Sequence, residues 1–144
     1  VAARKGGLFR CRTARFALLE EQLIMPIVGI DTTAYLVKDV DRATKFYRDI
    51  MGLPLTSEFG GQGAEFVMPD NTTFSIWKMS DGTWTQGNGV MFAVDNFEAA
   101  VDAYRKAGVK IEAETEDTPV CKMAFAEDSE GNTFIIHFRK DGRD

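Results

Sequence analysis

Few side chains in this 144-residue sequence can do chemistry. It has one histidine, His137, in the run Thr133-Phe134-Ile135-Ile136-His137. Imidazole titrates near physiological pH, so His137 and the carboxylate Glu65 would make a general acid–base pair. No nucleophile or oxyanion device accompanies them, and the simpler reading is that His137 orients a ligand or bonds a neighbour. A single imidazole also excludes a two-histidine metal site within one subunit. Of the two cysteines, Cys11 lies in an N-terminal leader and Cys121 in an expected strand. They make neither a disulfide framework nor a zinc site, and a reducing compartment suits them. Gly60-Gly61-Gln62-Gly63 lacks the Lys-Ser/Thr ending and following helix of a phosphate loop, so it reads as a hairpin.

The elements that must position these groups are written twice. Val37 to Leu55, VKDVDRATKFYRDIMGLPL, reads as a strand end, a helix capped by Asp39 and a stop at Gly52. Ala43, Phe46, Tyr47 and Ile50 recur at helical spacing and predict one buried face. Val94 to Val109 repeats the pattern. Asn96 stands for Asp39, Ala100 for Ala43, Tyr104-Arg105 for Tyr47-Arg48, and Gly108 closes the helix. Each copy ends in a turn and a strand: Pro69-Asp70-Asn71 before Thr73 to Ile76, and Glu130-Gly131-Asn132 before Thr133 to Ile136. Such repetition predicts one α+β domain made of two strand–helix–strand–strand–strand units, repeat one over 27–79 and repeat two over 88–139. The expected strands are Asp31 to Val37, Leu55 to Phe59, Ala64 to Met68 and Thr73 to Met79, then Gly89 to Val94, Lys110 to Glu114, Cys121 to Ala126 and Thr133 to Arg139. Trp84, in the linker Ser80 to Asn88, either caps a pocket or interface or packs on its own loop.

With 44% hydrophobic and 27% charged residues, the composition is that of a globular protein large enough for one core. No apolar run approaches the ~20 residues of a membrane helix, and no membrane partner is expected. The formal charge of −5 splits into +3 over residues 1–24 and −8 over the remainder. An acidic body disfavours nucleic acid and weakly favours a cationic ligand.

The helix ending FYRDIMGL, the DSEGN turn before the last strand and the paired units resemble the vicinal oxygen chelate superfamily. It includes glyoxalase I, extradiol dioxygenases, fosfomycin-resistance enzymes and bleomycin-resistance proteins. The resemblance runs from about Ile27 to Arg139 and implies a half-open mixed β-barrel with helices outside and a ligand cavity inside. Strand alternation then assigns faces. Thr33, Tyr35, Val37, Phe74 and Ile76 should pack under the helices, as should Val90, Phe92, Val94, Phe134, Ile136 and Phe138. The opposite face should carry Thr32, Ala34, Leu36, Gly63, Glu65, Ser75 and Trp77 from repeat one. Repeat two should add Gly89, Met91, Ala93, Cys121, Met123, Phe125, Thr133, Ile135 and His137.

Metal-dependent relatives place His or Glu/Gln on the first and last strand of each unit, which the resemblance maps to Thr32, Ser75, Gly89 and Ile135. Those residues offer no imidazole or carboxylate, so no metal and no cofactor is expected. Glyoxalase and dioxygenase chemistry is disfavoured with it. The expected function is metal-free binding of a planar, largely apolar small molecule stacked on Trp77 and Phe125. Leu36, Met91, Met123 and Ile135 would complete an apolar wall, with Thr32, Glu65, Ser75 and His137 as polar contacts. The competing reading is a lyase, isomerase or dioxygenase-like enzyme using His137 and Glu65. The resemblance also implies a homodimer, and the location expected is the cytoplasm.

Residues 1–24 differ from the rest. They are Arg-rich as in a transit peptide, but lack the clean apolar core of a secretory signal. The favoured reading starts the domain, 25–144, at Met25, since Glu20-Glu21 can be encoded by a purine run resembling a ribosome-binding sequence. A chain beginning at Met25 is then expected to unfold at the same denaturant midpoint as the full sequence, and a marked loss of stability would make the leader structural.

Overall fold

A computed structural model describes residues 26–142, so Cys11, Met25 and the leader readings over 1–24 fall outside the described residues. Asp31–Asp144 form one compact unit. Pro26–Ile30 carry no strand or helix.

The compact unit contains both repeats. The first comprises β1 (Thr33–Leu36), α1 (Val40–Lys45) running into a π-helical turn (Phe46–Ile50), β2 (Leu55–Glu58), β3 (Gly63–Val67) and β4 (Thr73–Trp77). The second comprises β5 (Val90–Ala93), α2 (Phe97–Lys106), β6 (Lys110–Ile111), β7 (Glu116–Asp117), β8 (Cys121–Glu127) and β9 (Thr133–Arg139). Two sheets result, ordered β1-β4-β3-β2 and β5-β9-β8-β6, with β7 also paired to β8. In each, the first and last strands of the unit run parallel, Thr33 opposite Phe74 and Val90 opposite Phe134. The expected α+β architecture of two βαβββ units is therefore present, and its two separate sheets suit a half-open arrangement.

Local chemistry explains the helices. Asp39 accepts from the Arg42 N–H at 3.0 Å, and Asn96 accepts from the Ala99 N–H at 3.1 Å, so both expected caps form. Ala43, Phe46 and Tyr47 are buried, but Ile50 is 39% exposed, which corrects the expected buried face. The cause is the π-helical turn: the Met51 N–H bonds the Phe46 carbonyl, five residues back. The wider turn rotates Ile50 outward and brings Met51 inward, where it is buried.

Two other expectations need correction. Thr33 is exposed rather than under a helix, because it begins β1. Lys110 to Glu114 is a strand only over Lys110–Ile111, and pairing to β8 resumes at Glu116–Asp117.

One core joins the repeats. Tyr47, on the first helix, lies 4.9 Å from Phe74 of its own sheet and 6.3 Å from Phe92 of the other, centroid to centroid. Phe74 and Phe92 meet edge to face at 5.2 Å. The helix-facing sides of the two sheets are thus continuous. Tyr35 forms the seam: its hydroxyl donates to the Thr133 carbonyl at 2.7 Å and accepts from the Val90 N–H at 3.0 Å. Its ring lies where a Cβ of Gly87 would be, 2.5–2.8 Å away, so only glycine fits there.

A second tie is polar and buried. Asp128 accepts from the Tyr47 hydroxyl at 2.6 Å and from the Glu130 and Asn132 N–H groups. Glu130 accepts from the Lys38 and Asp39 N–H groups and from the Arg42 guanidinium. Asn132 donates to the Leu36 carbonyl and accepts from the Gly87 N–H. The turn that looked like a local stop before β9 therefore supplies the side chains that fasten repeat two to β1 and α1.

Burial opposes ionisation of Glu130, but Arg42, the Asp39 N–H and the Ser129 hydroxyl together hold its carboxyl below the ordinary value of 4.5. A depressed folded value contributes stability above about pH 4.5, and that contribution is lost as pH falls through the lower folded value. Glu130→Gln is expected to cost about 1–3 kcal/mol near neutral pH, because the buried carboxylate's charge-assisted bonds to Arg42 and to the Lys38 and Asp39 N–H groups are weakened. The gap in urea midpoint between variant and parent should narrow below pH 4.5, and a gap independent of pH would refute this role.

Candidate functional site

The faces of the two sheets that point away from the helices carry the expected cavity residues. Register places them in matched rows. In repeat one, Ala34, Ser75 and Glu65 stand side by side, next to a row of Leu36, Trp77 and Gly63. In repeat two, the corresponding rows are Met91, Ile135 and Phe125, then Ala93, His137 and Met123. Residues that face one another across strands share a face of the sheet, so each row is a local surface. The repeats match in backbone and differ in chemistry: where one has Ser75 and Glu65, the other has Ile135 and Phe125.

The first-repeat surface is organised by hydroxyls. Thr32 Oγ1 and Ser75 Oγ are 2.9 Å apart, and the Trp77 indole N–H donates to Ser75 Oγ at 3.0 Å. Ser75 is wholly buried, so the hydroxyl expected to meet a ligand instead holds Thr32 and Trp77 in place. The Trp77 ring lies over Gly63, where a Cβ would come within 2.3 Å of it. It also stacks on Phe59, with centroids 5.0 Å apart and planes at 29°. Phe59 is 40% exposed and was not expected in the site. The signal available was its place beside the glycine hairpin: an aromatic next to a glycine in a sheet often covers the missing side chain.

The second-repeat surface is apolar. Ile135 is buried, Met123, Phe125 and His137 are half-buried, and Met91 is 52% exposed. Gly89 has open space where a Cβ would be, and Ala93 is exposed. His137 and Glu65 lie on different sheets, and no hydrogen bond joins them. Trp84 does not sit on its own loop alone. Its indole N–H donates to the Leu36 carbonyl at 3.0 Å and Lys38 Nζ lies 4.0 Å from its ring centroid, so it fastens the linker to the end of β1.

Two grooves lie elsewhere. One of about 510 Å³ runs along α1 and its π-helical turn between Asp39, Arg42, Asp49 and Ser129. One of about 270 Å³ lies between Lys38, Asp41, Gly61 and Lys78. In the first, Arg42 is already held by Glu130 and Asp39 is the helix cap, so neither charge is available for a ligand.

Over residues 29–136 the sequence matches the model of the Glyoxalase/Bleomycin resistance protein/Dioxygenase superfamily, and the chain belongs to that family. Among solved structures it is similar to a lactoylglutathione lyase from Agrobacterium tumefaciens, with TM-score 0.67 and 20% identity over 83% of this chain and 99% of the other. It is also similar to an antibiotic-binding protein from a Streptomyces species, with TM-score 0.68 and 18% identity over 79% and 98%. An oxidase, ChaP-H2, matches with TM-score 0.64 and 22% identity over 80% and 96%. These likenesses establish the fold. A comparison with curated proteins finds no match.

Family members that use a metal hold it at positions occupied here by Thr32, Ser75, Gly89 and Ile135, and these side chains do not fit a divalent ion. Gly89 and Ile135 carry no donor atom, and the Ser75 hydroxyl is committed to Trp77 and Thr32. Among the described residues no three His, Cys, Asp or Glu side chains gather where they could hold a metal. No helix among them is long and apolar enough to cross a membrane.

Gly63→Ala is expected to displace the Trp77 ring, since the new methyl would also meet the Ile76 carbonyl at 2.6 Å. Overpacking of this kind costs about 1–3 kcal/mol. A lower thermal midpoint with red-shifted tryptophan emission would bear this out, and unchanged emission would show that Trp77 is not held by the glycine.

Proposed function

We propose that this protein binds a small molecule on the face formed by the two sheets, without a metal and without turning the ligand over. The observation that carries this reading is the chemistry of the four positions where metal-using relatives place ligands. Two of them, Thr32 and Ser75, are hydroxyls bonded to each other, and the other two offer no donor. A lyase or dioxygenase built on a metal has nothing to build with at these positions.

The same face supports binding. Trp77 is held flat and stacked with Phe59, while Phe125, Ile135, Met91 and Leu36 present an apolar surface alongside. Preorganised aromatics lose little entropy when a flat ligand stacks on them. His137 is placed to offer one hydrogen bond next to Met123 and Ala93. Similarity to a protein described as antibiotic-binding is in keeping with such a role. An enzyme using His137 and Glu65 is less well supported, because the two stand on different sheets with no bond between them.

Metal analysis by mass spectrometry on protein purified without chelators should give far less than one equivalent. A thermal-shift screen with planar aromatic compounds should then raise the melting temperature, and His137→Ala should keep affinity within about threefold, as expected from losing one hydrogen bond. Stoichiometric metal, or turnover abolished by His137→Ala, would replace this reading with an enzymatic one.

A further inference from the structure

The direction of the hydrogen bonds on the first-repeat surface restricts what it can recognise. The Trp77 indole N–H can only donate, so Ser75 Oγ accepts from it. Ser75 is wholly shielded from water, and the one acceptor recorded within reach of its own proton is Thr32 Oγ1, at 2.9 Å. Ser75 therefore donates to Thr32. Thr32 in turn has the Thr73 carbonyl at 3.4 Å and its neighbour's carbonyl at 3.5 Å to receive its proton. The chain runs from the indole N–H through Ser75 to Thr32, whose own proton has only these two long carbonyl contacts. Having accepted from Ser75, Thr32 still carries a lone pair that a ligand donor can use.

Glu65 stands beside Ser75 on the same surface, half-buried, and forms no ion pair or hydrogen bond. Among the described residues no lysine or arginine shares this face of the first sheet. The rows there are Thr73 and Val67, then Ala34, Ser75, Glu65 and Ser57, then Leu36, Trp77 and Gly63. Ser57 stands next to Glu65 and Thr73 lies two residues before Ser75, both with hydroxyls free to donate or accept. The charge on this surface is thus a single negative one, on Glu65, without a partner among the described residues. A half-buried carboxylate with no internal partner is unfavourable unless something supplies donors to it. The adjacent indole adds to the same preference, because its π face attracts cations.

We propose that this surface is a subsite for the protonated nitrogen of the ligand, with Glu65 as its charge-selecting residue, so that the molecules bound are planar aromatics bearing an amine or amidine. The nitrogen donates to Glu65 and to the free lone pair of Thr32, while the ring it is attached to lies on the Trp77–Phe59 platform. The apolar second-repeat surface takes the remainder of the molecule. This rests on the proposed binding function and gives it a ligand class: the two sheets divide one amphipathic molecule between a donor-seeking half and an apolar half. Carboxylate-bearing or phosphorylated aromatics are excluded by the same geometry, since they would bring lone pairs against lone pairs.

The test uses three probes of one shape: naphthylmethylammonium, naphthylmethanol and naphthoate. Calorimetric titration of the full-length protein should rank them in that order, with the ammonium about tenfold tighter than the alcohol and the carboxylate weakest. Glu65→Gln should bring the ammonium down to the affinity of the alcohol and leave the alcohol unchanged. Thr32→Val, which keeps the shape of the side chain, should weaken the ammonium by a few-fold and spare naphthoate. If all three probes bind equally, or if Glu65→Gln leaves the ranking intact, the charge selection is wrong while the binding function stands. If none of the three binds and no planar compound shifts the melting temperature, the binding function fails and this subsite with it.

Discussion

The buried turn Asp128-Ser129-Glu130-Gly131-Asn132 is the constraint on which the rest of the molecule depends. It lies in the second repeat, yet its carboxylates and amide are spent on the first: on the Tyr47 hydroxyl, on the Lys38 and Asp39 N–H groups, on Arg42 and on the Leu36 carbonyl. Two buried acids are tolerable here only because each is saturated with donors. The consequence is geometric. With the start of α1 pinned to the second repeat, the end of β1 is held to the turn before β9 and the two helix-facing surfaces close into one core. Tyr47 takes part in both halves of this arrangement. Its ring is in the core, and its hydroxyl is bonded to Asp128 and, through burial first and that carboxylate second, pushed far above the ordinary range, so it remains a donor.

That frame is nearly symmetric, and the proposed function rests on where the symmetry is broken. Thr73 to Trp77 and Thr133 to His137 occupy matching strands in matching register. The residues facing the helices are alike, Phe74 and Ile76 against Phe134 and Ile136, because both repeats contribute to one core. The residues facing away have no such obligation. They have diverged into Ser75 and Trp77 on one side and Ile135 and His137 on the other, which turns a repeated scaffold into a surface with a polar and an apolar half.

The same division explains what could be read from the sequence. Alternation along strands separated helix-facing from outward-facing residues because successive side chains point to opposite faces, although Thr33 is exposed where β1 has barely begun and the outward-facing Ser75 and Ile135 are buried as well. Caps and closing glycines were legible because their chemistry is local. Ile50 was misplaced because a π-helical turn leaves no mark in a 3.6-residue pattern; the extra residue shows only once Met51 and Leu53 are seen buried. Phe59 was missed because its partner, Trp77, is remote in sequence and meets it only across the hairpin. Likewise, nothing in the spacing of DSEGN tells which backbone its carboxylates will serve. Local rules were readable, and pairings made by the fold were not.

Loss of a metal site is often pictured as removal of ligands from an otherwise unchanged cavity. Here two of the four positions, Thr32 and Ser75, are already in use. Side chains as short as threonine and serine cannot reach a metal between the strands in the way imidazole or glutamate can, but on neighbouring strands they can reach each other. Once they do, the pair is a fixed hydrogen-bonded unit, and its nearest neighbour with a spare donor is the indole two residues along β4. Trp77 is thereby locked over Gly63 and made available, with Phe59, as a flat surface. A metal would need those lone pairs free and a second pair of ligands from β5 and β9, where Gly89 and Ile135 stand. The hydroxyl pair and a metal are thus competing uses of one place in the fold, and the indole hydrogen bond is what favours the first in the proposed metal-free reading.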